Sequence, residues 1–158
     1  MATIRVLLSR LLCLVTLGMA GQAMAADDAN YQQFIGDWEL VSYLQFPEAG
    51  GEHNMNYVGY LSYDAQGNMA GFGMPQDLPE RAAQSNERIM AGFAYWGTVS
   101  VNQAEKIVTH HVQGSPMVPQ WVGGDNVRYF EFVDDLLKLS LKNSAGRVTG
   151  TLTWKRLR

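Results

Sequence analysis

Residues 97–132 read GTVSVNQAEKIVTHHVQGSPMVPQWVGGDNVRYFEF. β-Branched and aromatic residues alternate with polar ones in three runs, 95–101, 107–113 and 127–132, each bounded by turn-forming residues. Successive strands have this pattern; helices repeat their apolar positions at three and four instead. Side chains on a strand point alternately to opposite faces. His110 therefore lies with Val108 and Val112, and Arg128 lies with Phe130 and Phe132. An unpaired polar group on an interior face costs roughly 2–7 kcal/mol. Both residues need a partner or a purpose.

Five more runs of the same kind surround this tract, at 38–43, 59–63, 69–74, 136–142 and 148–156. Short turns join most of them, including the loop 64–68, the pair Asp134-Asp135 and the tetrapeptide 143–146. Eight evenly spaced, hairpin-linked strands predict an all-β fold, an up-and-down antiparallel barrel or a sandwich. The clearest inner faces are Leu137, Leu139 and Leu141 in one strand, and Val148, Gly150, Leu152, Trp154 and Arg156 in the next. Residues 26–30 read as a loose leader and 47–56 as a glycine-rich loop. One segment breaks the β rhythm between the third and fourth strands. Asp77 can cap a helix, Glu80 completes a capping box, and Pro79 fits the first turn. Ala82, Ile89, Met90 and Phe93 then share one side, so a short amphipathic helix is expected there.

The N-terminus has a separate signature. Arg5 and Arg10 accompany a short apolar run, and Ala23 and Ala25 supply the small residues before a signal-peptidase cut. The run is shorter than the ~20 residues that cross a bilayer. Residues 1–25 are therefore expected to be a cleaved signal peptide and 26–158 one domain, periplasmic or secreted, with no membrane span of its own. Cleavage removes Cys13, the only cysteine, and with it disulfides and thiolate chemistry. It also takes the basic residues from 12 to 10 against 15 acidic, a formal charge of −5 that argues against a nucleic-acid partner.

Chemistry has few candidate carriers. His110 and His111 are adjacent on a strand and face opposite ways, and His53 falls in a loop, so no metal site is expected. His110 suits a core histidine bonded to a hydroxyl or carbonyl, a ligand contact, or a catalytic base or haem ligand. Arg128 suits either an aromatic stack or a grip on a ligand carboxylate. Tyr63 and Tyr95 fit the inner face, and Trp121 sits in a glycine-rich loop where an aromatic ring can meet a ligand. Nucleophile-elbow and phosphate-loop motifs are both missing, so no cofactor is expected.

Several motifs in order carry a resemblance to a known family. They are GDWELVSY at 36–43, GYLSY at 59–63, AYWG at 94–97, VTHHV at 108–112, Pro119-x-Trp121-x-Gly123, and Arg128-x-Phe130. Together they resemble the bacterial and fungal lipocalin-like domain family, from about Phe34 to Arg156. That resemblance implies a calycin-type barrel of eight strands. It gives Trp38, Trp154 and Arg156 structural roles, with the first-strand tryptophan packed against a late basic residue. It also implies a small hydrophobic or amphipathic ligand in the barrel. Leu137, Leu139, Leu152 and Phe132 are the expected apolar walls, with His110, Arg128 and Tyr95 orienting a polar or acidic head. Two other readings stay open: a cofactor-free isomerase or cyclase built on His110, Tyr95 and Arg128, and a filled barrel that works through an exposed apolar patch.

Overall fold

The computed structural model describes residues 29–77 and 91–158. Helix α1 (Ala29–Gln32) precedes β1 (Gly36–Gln45), β2 (His53–Asn54), β3 (Tyr57–Tyr63), β4 (Asn68–Pro75) and β5 (Phe93–Asn102). Then follow β6 (Ile107–Gly114), β7 (Asp125–Val133), β8 (Leu136–Lys142) and β9 (Val148–Arg156). Neighbours from β3 to β9 pair antiparallel in chain order, and β1 pairs with both β3 and β9. That last pairing, from Trp38↔Arg156 to Gln45↔Gly150, closes eight strands into a barrel and removes the open edges. The fold is the expected one.

Three local features differ from the sequence reading. The loop 47–56 contains β2, which pairs with Leu44 and Gln45 outside the barrel. The leader 26–30 overlaps α1, so its last two residues are helical. The inserted helix expected after Asp77 lies largely outside the described residues, but Phe93, assigned to its apolar side, instead begins β5. Among the described residues, no helix is long and apolar enough to cross a membrane.

α1 and the residues after it close one end of the barrel. Phe34 is fully buried and meets Phe130 at 4.9 Å, Phe132 at 5.1 Å and Tyr63 at 5.6 Å between ring centroids, all edge-on. Trp38 Nε1 donates to the Phe34 carbonyl at 2.9 Å. The Arg156 guanidinium stacks on the Trp38 ring at 4.1 Å and donates to the carbonyls of Ile35 and Gln33. Three carbonyls of an otherwise irregular segment are thus satisfied by two side chains, which fixes the plug. Gly36 makes this approach possible, since a Cβ there would sit 2.7 Å from Arg156 Nη1 on a backbone of φ +132°. Tyr31 anchors the other side, donating to the Asp64 carbonyl at 2.7 Å. Burial, helped by the Asp64 charge, pushes the Tyr31 hydroxyl up to about 12.

A bulge in β1 sets what the opposite end presents. The register with β9 shifts between Leu40 and Ser42, leaving Val41 as an extra, exposed residue. Strict alternation from Trp38 and Leu40 would turn Ser42 inward. The bulge turns Tyr43 inward instead, opposite Leu152.

Candidate functional site

The barrel is filled at its plugged end and hollow above. A partly enclosed cavity of about 110 Å³ occupies the other half, lined from all eight barrel strands and the 3-10 turn Pro119–Trp121. Leu61, Leu139, Leu141, Leu152 and Trp154 supply apolar wall, and Gly71 leaves room between them. Tyr43, Phe93 and Trp121 add aromatic surface, with Trp121 edge-on to Tyr95 at 5.5 Å. Arg128 is the charged side chain among the described lining residues, and none of them is acidic.

His110 crosses the interior between two tyrosines. Its Nδ1 lies 2.8 Å from the Tyr95 hydroxyl and its Nε2 lies 2.8 Å from the Tyr63 hydroxyl. Burial, then the positive charge of Arg128, holds His110 well below its ordinary value, so the ring is neutral. A neutral imidazole has one N–H and one acceptor nitrogen. One tyrosine therefore donates to His110 and the other accepts from it. Burial raises both phenols, while the charge and hydrogen-bonding reach of Arg128 draw Tyr95 back down. The result is a polar chain, Arg128–Tyr95–His110–Tyr63, running from the cavity wall to the aromatic plug. It is an orienting scaffold. Both nitrogens of His110 are occupied, so the ring has no lone pair free for a substrate or a metal.

Four of the six candidate contacts line the cavity: His110, Arg128, Tyr95 and Trp121. Tyr63 lies behind His110, fully buried, and reaches the cavity only through it. Phe132 needs correction. It has the expected inward face but sits at the plugged end, between Phe34 and Trp38, because depth along a tilted strand is independent of which face a residue occupies. Leu137 is likewise buried below the cavity. Trp154 joins β1 to β9 as expected but also forms cavity wall. The aromatic stack considered for Arg128 belongs to Arg156; Arg128 Nη1 instead donates to the Val127 carbonyl at 2.9 Å. Tyr43, Leu61, Gly71, Phe93 and Leu141 were not anticipated in the wall. Only the inward-facing leucines of β3 and β8 had a signal in the alternation.

Comparison with curated proteins gave no match. Two of the solved structures to which the chain is similar are these. One is a lipocalin-like protein from Bacteroides uniformis, 11% identical, with a TM-score of 0.49, covering 79% of this chain and 99% of its own. The other is an uncharacterized protein from Bacteroides eggerthii, 12% identical, with a TM-score of 0.45, covering 78% of this chain and 99% of its own. The model of the lipocalin-like domain matches residues 35–157, which include every strand of the barrel, and the chain belongs to that family.

Proposed function

We propose that this is an exported binding protein whose half-hollow barrel holds a small apolar molecule with an anionic or acceptor head. The observation that carries the reading is the cavity itself: a largely apolar wall in which, among the described residues, Arg128 is the one cation and none is acidic. Apolar walls supply affinity at about 25 cal/mol per Å² buried, and a guanidinium with one of its five N–H groups on Val127 retains others for a carboxylate. Size narrows the class. Apolar cavities of roughly 150 Å³ take benzene, so a single-ring or short-chain acid fits this space better than a long-chain lipid. Export rests on the basic and apolar N-terminal pattern, and comparing the mature N-terminus of secreted protein with Ala26 tests it.

Calorimetric titration with benzoate and with benzyl alcohol tests the head-group claim. The acid is expected to bind at least about tenfold more tightly, in line with a charge-assisted hydrogen bond. Arg128→Met should erase that preference while keeping alcohol binding. Equal affinities in the wild-type protein would refute it.

A second reading has an observation of its own. Val58, Phe72, Met74 and Trp96 lie on the outer face of β3–β5 and are 39%, 50%, 48% and 51% exposed. Such a strip suits self-association. Sedimentation should then show a concentration-dependent dimer that Phe72→Lys abolishes; a monomer throughout would remove this reading.

A further inference from the structure

The outer face of the barrel carries a second constellation, remote from the cavity side of the wall. Ser100 Oγ lies 2.9 Å from His111 Nε2, and His111 Nδ1 lies 2.7 Å from Asp125 Oδ1. The register produces it. His111 pairs directly with Asp125 across β6 and β7, while Ser100 on β5 is its diagonal neighbour, two residues beyond Thr98, which pairs with His111. Ser100 and His111 alternate outward from the buried Val99 and His110, and Asp125 faces the same way as its pair partner His111. The side chains of His111 and Asp125 are 43% and 59% exposed, so the group is open to solvent.

A carboxylate only accepts hydrogen bonds, so in neutral His111 the proton sits on Nδ1. Nε2 then carries the free lone pair and accepts from the Ser100 hydroxyl. This is the connectivity by which a serine is activated in acyl transfer, a constellation recognised by geometry and role rather than by fold or chain order. We propose that Ser100 is an activated surface nucleophile, with His111 as its base and Asp125 as the residue that positions the base. In the step, Ser100 Oγ attacks an ester carbonyl and its proton passes to His111 Nε2. The bond to the leaving alcohol breaks, and that alcohol departs with the proton. Water, deprotonated by the same nitrogen, then releases the acid and regenerates serine.

The setting limits the substrate class. Ser100 lies inside a strand, and among the described residues no helix N-terminus is placed to stabilise an oxyanion. Small activated esters and organophosphorus electrophiles, whose leaving groups need little help, are the compounds it can take. Their open approach fits a site on a sheet face.

A fluorophosphonate probe gives a direct test, because Ser100 displaces fluoride and keeps the phosphonyl group. Full-length protein is treated with the probe and its peptides are mapped by mass spectrometry. The adduct is expected on Ser100, and His111→Gln and Asp125→Asn should each slow its formation by at least about tenfold. His53→Gln, a change at the other exposed histidine, should leave the rate unchanged. Absence of the Ser100 adduct in the wild-type protein, or an equal rate in His111→Gln, would overturn the proposal. The wild-type result does not depend on whether any variant folds.

Discussion

Phe34→Ala is expected to lower stability by about 3–5 kcal/mol, the range for removing a fully buried phenylalanine. The ring is the hub of the plugged end. Its edges and faces meet Tyr63 on β3 and Phe130 and Phe132 on β7. Truncation leaves a hole among aromatic rings that cannot collapse without moving the barrel wall, so relaxation recovers little. A domain of this size should lose roughly 10 °C or more in melting temperature. Phe34→Leu, which keeps most of the volume, should lose far less. Equilibrium urea unfolding measures both, and a Phe34→Ala value within ~1 kcal/mol of wild type would show that the segment before β1 is not part of the core.

His110→Leu is the second large effect, and it has a pH signature. Leucine leaves the Tyr63 and Tyr95 hydroxyls without their 2.8 Å partner, and each orphaned buried group costs about 1–3 kcal/mol. Tyr63 suffers most, because Tyr95 still has Arg128 nearby. The pH dependence follows from linkage. His110 is held below its ordinary 6.5 in the folded chain, so the unfolded chain binds the extra proton first as pH falls. The stability from the neutral ring is therefore complete above about 6.5 and is lost below it, by at most ~1.4 kcal/mol per pH unit, until the folded value is reached. His110→Leu should be the less stable protein at pH 7 but have the shallower slope between about pH 6.5 and 5. Asp37 acts in a lower window: a hydrogen bond from Tyr60 holds it below 3.8, so its contribution fades only in stronger acid. Equal slopes for the two proteins from pH 6.5 to 5 would contradict a buried neutral His110.

The barrel was legible because most of its strands obey period two. Leu137, Leu139, Leu152 and Trp154 alternate with lysine, serine and threonine, and hydrophobic burial enforces that register. The inward faces of His110 and Arg128 followed from the same rule, as did the Trp38–Arg156 contact from the family pattern. What stayed hidden depends on three-dimensional registration. Phe34 and Tyr31 lie in a four-residue helix and a short link, too short for any periodicity, and only their tertiary partners reveal them. Tyr43 turns inward because of a bulge that alternation cannot foresee. Phe132 had the right side and the wrong depth. His110 meets Tyr63 from 47 residues away, and Ser100, His111 and Asp125 meet only once the pairing of β5, β6 and β7 is fixed.

The central claim is that the cavity takes a small acid through Arg128. Native mass spectrometry of the wild-type protein, offered a mixture of short-chain and single-ring carboxylic acids with their matching alcohols, tests it most directly. Retained acid adducts are expected in preference to alcohols, a preference lost in Arg128→Met. No adduct from the mixture, and none carried from the producing cell, would contradict it.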